Sequence, residues 1–180
     1  MNRYKLGSIG AIIAGINHII LLYLVFNIVT LITSPTPIDI NTILSNIFLS
    51  IILILLFLIT IIGHILFYMS MIKFSNEFDT SNTVKTASLI GIIGSALFPI
   101  FIGFALEGIA LTMIGITLYS LMKERKIRNR IGKNYAQLGF IIAIIGTIAG
   151  ITKITLIGSV IGIPVSIFFY LPMAIILYRL

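Results

Sequence analysis

The sequence predicts an all-α fold: a polytopic transmembrane helix bundle of six helices, arranged as three hairpins, forming one integral membrane domain over residues 1–180. Three observations predict it. The chain is 59% hydrophobic and 9% charged, with a mean hydropathy of +1.19, more apolar surface than a soluble domain of this size can hide. Long apolar blocks alternate with short polar linkers. Eleven of the twelve lysines and arginines fall in alternate linkers.

The first block, residues 6–32, follows Arg3 and Lys5 as the apolar core of a secretory signal would. Its 27 residues far exceed the roughly 7–15 of such a core, and no small-residue cleavage site stands out after it. It reads as an uncleaved membrane helix. The second block, 43–72, has 30 residues and makes one more, against the roughly 20 that a bilayer core requires. Between them, Ser34-Pro35-Thr36-Pro37 marks an apex.

The third and fourth blocks, 86–122 and 136–178, hold 37 and 43 residues. Each is either one overlong helix or a tight hairpin, and charge decides. With hairpins 6–72, 86–122 and 136–179, both termini lie on one side together with Arg3, Lys5, Lys73, Lys85, Lys123, Arg125, Lys126, Arg128, Arg130, Lys133 and Arg179. Only Lys153 falls opposite. A single helix over 86–122 would carry the six basic residues of 123–133 across the membrane, against the bias of short loops toward the cytoplasm. The expected location is therefore the cell membrane, multi-pass, with N- and C-termini cytoplasmic.

Breakers set the remaining apices. Phe98-Pro99 and the stretch from Gly103 to Glu107-Gly108 interrupt the third block; Thr152-Lys153 and Gly158 interrupt the fourth. A carboxylate is costly at a helix centre, so Glu107 is expected at the outer surface. There it would pair with Lys153 in an exposed contact of about 0–1 kcal/mol. The third block then yields two short helices, and 86–122 is either a full hairpin or partly re-entrant.

The three hairpins are separated by linkers of equal length, 73–85 and 123–135. Each opens on a helix with small residues at every fourth position: Gly7, Ala11, Gly15; Ala87, Gly91, Ser95; Gly139, Ala143, Thr147. Gly158 and Gly162 add a further row. Such rows let backbones approach closely where lipid gives helices no hydrophobic reason to associate. The opening helices are expected to meet at the bundle centre, with Ile12, Ile90 and Phe140 turned outward. No longer string of identical residues marks a duplication.

The pattern LFYMSMIKFSNEF at 66–78, the glycine-rich helix at 87–95, and the charged linker followed by a small-residue helix at 123–146 resemble an archaeal family of small, uncharacterised multi-spanning integral membrane proteins, a domain of unknown function. The resemblance covers about three quarters of the chain, and the first hairpin departs most from it. It implies topology and an archaeal origin, and transfers no site.

Candidate chemistry is sparse. His18 and His64 are the two histidines. They lie about 18 and 12 Å from the cytoplasmic ends of their helices at 1.5 Å per residue, so adjacent antiparallel helices would hold them about one turn apart. Two such imidazoles suit a cofactor, a metal or a proton relay, or one interhelical hydrogen bond each. The basic run 123–130 suits anionic headgroups and has too little polar surface around it for nucleic acid. Cysteine is absent, and with five acidic residues and no nucleotide, metalloprotease or serine-hydrolase motif, catalytic residues, cofactors and metal ligands are all expected to be none.

The reading is thus a non-enzymatic scaffold or accessory subunit. Its partners would be the lipid bilayer and other membrane subunits or a second copy of the chain, with no nucleic acid. A small-solute or ion permease is the alternative, its path lined by Asn17, His18, Asn27, Asn46 and His64. A haem- or metal-binding redox subunit is the second, and requires the two histidines to meet. The topology has a direct test. A reporter fused after Lys126 should be active as a cytoplasmic fusion, and external activity there would remove the six-helix count.

Overall fold

The computed structural model describes residues 3–33, 40–78, 82–97 and 101–180. Seven helices occupy them: α1 (Arg3–Thr33), α2 (Ile40–Glu77), α3 (Asn82–Ala96), α4 (Phe101–Leu121), α5 (Arg125–Ile131), α6 (Lys133–Lys153) and α7 (Leu156–Arg179). The additional helix, α5, folds from the basic linker. Four stretches among the described residues are long and apolar enough to cross a bilayer: Ser50–Glu77, Ile102–Leu121, Lys133–Lys153 and Ile161–Arg179. Isoleucines such as Ile62, Ile116, Ile151 and Ile161 stand exposed around the outside, as expected where lipid is the solvent.

The six longer helices close a ring. Following the chain, α1 packs on α2, α2 on α3, α3 on α4, α4 on α6, α6 on α7, and α7 returns to α1. The opening helices α1, α3 and α6 therefore do not meet at a common centre. Their small-residue rows are buried as expected, Thr147 being half-buried, but they serve contacts between ring neighbours. A side chain at Gly10 would run into the Gly63 carbonyl and Leu66 of α2, and one at Gly108 into the Gly150 carbonyl of α6. Ile12 faces outward, whereas Ile90 and Phe140 are half-buried against the core. A ring needs each helix to present two contact faces, so fewer positions are left for lipid than a central-seam bundle would leave.

The interior is filled from α2, α4 and α7, which share a motif. Ile-x-Phe-Tyr-x-x-Met at 65–71, Ile-x-Leu-Tyr-x-x-Met at 116–122 and Ile-x-Phe-Tyr-x-x-Met at 167–173 recur at a constant spacing of 51 residues. The threefold pattern is thus deeper than equal linkers. Phe67, Leu118 and Phe169 are buried, as are Met71, Met122 and Met173. The tyrosines have diverged: Tyr68 and Tyr170 are fully buried while Tyr119 is 43% exposed.

The basic end of the bundle is tied across the ring. The Tyr4 hydroxyl donates to Glu77 Oε2 at 2.7 Å, joining α1 to α2. Arg130 of α5 pairs with Glu77 Oε1 and donates to the main-chain oxygen of Leu180 at 3.0 Å, next to α7. Gly132, at φ +94°, lets the chain turn from α5 directly into α6, a backbone region that side chains rarely adopt. The apex at 34–37 and Pro99 lie outside the described residues, as do the side chains of Asn27 and Asn46.

Close approach gives a test. Gly10→Leu should push α1 from α2 and cost about 1–3 kcal/mol, the usual cost of overpacking, whereas Ile9→Leu, at a position 42% exposed, should be nearly neutral. Thermal melting in detergent checks both, and equal melting points would show that the Gly10 contact is dispensable.

Candidate functional site

Five of the ring helices send a polar side chain to one interior point. On α1, His18 lies one turn beyond Ala14 on the buried face that also carries Ala11. On α2, His64 and Tyr68 are one turn apart, and Gly91 of α3 lies against the Tyr68 ring with no room for a side chain. Glu107 shares a face of α4 with Leu111, Ile114 and Leu118. Lys153 ends α6, and Tyr170 follows Ser166 by one turn on α7. All six polar side chains are essentially fully buried.

They form a connected chain of contacts. Lys153 Nζ donates to Glu107 Oε2 at 2.9 Å, and the Tyr170 hydroxyl donates to Oε1 at 2.6 Å. His64 Nε2 approaches the same Oε1 at 3.3 Å. With its proton committed to the carboxylate, Tyr170 can only accept from Tyr68, whose hydroxyl is 3.4 Å away. His18 Nδ1 lies 2.7 Å from the carbonyl oxygen of Ala14, which is purely an acceptor. That nitrogen therefore carries the proton, and Nε2 is left to accept from Lys153 Nζ at 3.2 Å. The two imidazoles meet edge to face with centroids 5.4 Å apart, and the Tyr170 ring packs on both.

This corrects the sequence reading in two respects. Glu107 and Lys153 do pair across the second and third hairpin segments, but in the interior and not at an exposed outer surface. α3 ends at Ala96 and α4 begins at Phe101, so Gly103, Glu107 and Gly108 are all inside α4. Gly108 does not end the helix because its bare Cα is what lets α6 approach. A carboxylate avoids the cost of lipid by reaching water or by reaching partners, and here the partners are within the bundle. His18 and His64 do meet, which the redox-subunit alternative requires. Tyr68 and Tyr170 were missed, though the repeated motif at 51-residue spacing marks them. Asn17, next to His18, is buried, and its Nδ2 has no hydrogen-bond partner among the described residues.

The chemistry follows from the geometry. One ligand atom each from His18, His64 and Glu107 lie within 4.8 Å of one another, a spacing suited to a cation. The Lys153 ammonium contacts two of the three, so the position is already served by an internal cation. A porphyrin would have to separate two imidazoles that touch each other and a common tyrosine ring. What the cluster offers directly is proton donors and acceptors in sequence: His64, Glu107, Lys153 and His18.

Removing one member of a buried ion pair strands the other. Glu107→Gln or Lys153→Met alone should each destabilise the bundle by about 3–5 kcal/mol, and the double variant should recover most of the loss. Melting temperatures of the three proteins check this; strictly additive losses would show that the two charges do not depend on each other.

No family model matches the chain, and comparison with curated proteins and with solved structures gives no match either.

Proposed function

We propose that this chain is a small proton-translocating permease, with Glu107 at its coupling site. The observation that carries the reading is the complete burial of a carboxylate, an ammonium and two imidazoles in mutual contact where five helices converge. Ionisable groups inside membrane bundles are expensive and characteristically mark ion pathways and proton relays. A scaffold has no need of such a cluster, which favours the permease alternative over it. The distribution of lysine and arginine supports six crossings in three hairpins with both termini cytoplasmic. The resemblance to an archaeal membrane family rests on the segments 66–78, 87–95 and 123–146.

The steps use this chain's own residues. Glu107 is faced by Lys153 of α6, His64 and Tyr68 of α2, His18 of α1 and Tyr170 of α7. A proton taken up by Glu107, directly or through His64, neutralises the carboxylate and breaks its ion pair with Lys153. The ammonium then has His18 Nε2 as its acceptor. Transfer leaves an imidazolium on α1 and a neutral amine on α6, and release of the imidazolium proton followed by return of the Glu107 proton to the amine restores the pair. Since Glu107 links α4 to α2, α6 and α7, each protonation also alters which helices are held together.

The test is proton flux. Vesicles carrying the purified protein and a trapped pH dye, with a potassium gradient and valinomycin, should acidify faster than protein-free vesicles. Glu107→Gln should return the rate to that of protein-free vesicles. A wild-type rate no faster than protein-free vesicles, or an unchanged rate in the variant, would overturn the proposal.

A further inference from the structure

The outer face of the α4–α6 contact carries two recesses that meet. One is an apolar groove of about 290 Å³ between the helices, lined by Ile116 and Tyr119 of α4 and Ala143, Ile144 and Ile148 of α6. The other is a polar recess of about 480 Å³ lined by Lys123, Arg125, Arg128, Asn129 and Lys133. They join at a single contact, where Lys123 Nζ sits 4.7 Å from the centroid of the Tyr119 ring. Tyr119 is braced in turn by Phe140, edge to face with centroids 5.4 Å apart.

We propose that this surface binds one anionic phospholipid, its phosphate in the basic recess and an acyl chain along the groove. Charge complementarity selects the occupant. Lys123, Arg125, Arg128 and Lys133 form no ion pair among the described residues, so four cations share a recess that contains no carboxylate. The groove continues from it toward the apolar part of the helices, between the exposed Ile116, Ile144 and Ile148. A headgroup and a chain are joined in that order in a phospholipid. Free phosphate would use the recess alone, and an uncharged lipid the groove alone.

The repeat explains why the site is here. Tyr119 stands where the motif places Tyr68 and Tyr170, yet it lies against the outer groove and not in the charged cluster. Gly132, with its positive φ, folds α5 back against the start of α6, which brings Arg125 and Arg128 to the same recess as Lys133. The inference is independent of proton translocation.

Native mass spectrometry of the purified protein tests it, with phosphatidylglycerol, phosphatidylcholine and inorganic phosphate as probes. The wild type should retain one phosphatidylglycerol in preference to phosphatidylcholine. Arg125→Gln with Arg128→Gln should weaken that binding about 30-fold, from two charges near an anionic headgroup. Ile144→Trp, which fills the groove at an exposed position, should also weaken it while leaving phosphate binding unchanged. Unchanged melting temperatures in these surface variants keep the comparison on binding. Equal retention of the two lipids, or undiminished phosphatidylglycerol binding in the double variant, would overturn the proposal. Loss in the double variant without loss in Ile144→Trp would also overturn it, in favour of a phosphate-only recess.

Discussion

A carboxylate and an ammonium 2.9 Å apart, both shielded from solvent, constrain everything around them. In a medium of low dielectric, neither charge is tolerable without the other, and the pair is tolerable only if its remaining hydrogen-bonding capacity is also met. Glu107 accepts from Tyr170 at its second oxygen, with His64 Nε2 3.3 Å from the same atom; Lys153 has His18. Supplying those partners requires three further helix faces at one depth, which in turn requires helices close enough for short polar contacts. The ring closure between α7 and α1 is part of the same requirement, since His18 and Tyr170 come from those two helices.

Glycine makes the distances possible. Gly108 and Gly150 bring α4 and α6 together just below the pair, Gly94 admits α4 to α3, and Gly91 leaves space for the Tyr68 ring. Gly162 does the same for the stem of Lys153, which contacts it. Bilayer lipid gives helices little reason to associate beyond packing and hydrogen bonds, so these small contacts and the polar cluster support one another. Either alone would be weak: close backbones without the cluster lack specificity, and the cluster without close backbones has unpaired charges.

The threefold motif shows one local design put to different uses. Its phenylalanine or leucine and its methionine stay in the core in all three copies, because each closing helix must fill the same wedge of the ring. The tyrosine hydroxyl is free to vary. In α2 and α7 it joins the charged cluster; in α4 the equivalent ring lies outside, under a lysine. The first hairpin differs by length: α1 and α2, at 31 and 38 residues, run roughly 46 and 57 Å at 1.5 Å per residue, well beyond α3 and α4.

Composition and residue spacing are enough to show that the chain is helical, apolar on its outside and basic at one end, and where the small-residue contacts fall. These follow from local composition and from a 3.6-residue period that neighbours cannot override. The sequence also marks Glu107 and Lys153 as the lone charges of their apolar blocks, and His18 and His64 as the paired candidates. Which way those charges point is set by the packing of distant helices. A charge beside glycine and proline is equally consistent with an exposed turn and with an interior helix, because the outcome depends on partners 46 to 135 residues away in the chain. The same is true of the small-residue rows, which state that a close contact exists but not with which helix. Ring closure chose the partners, and it placed four ionisable groups and two tyrosines at one point that no single segment encodes.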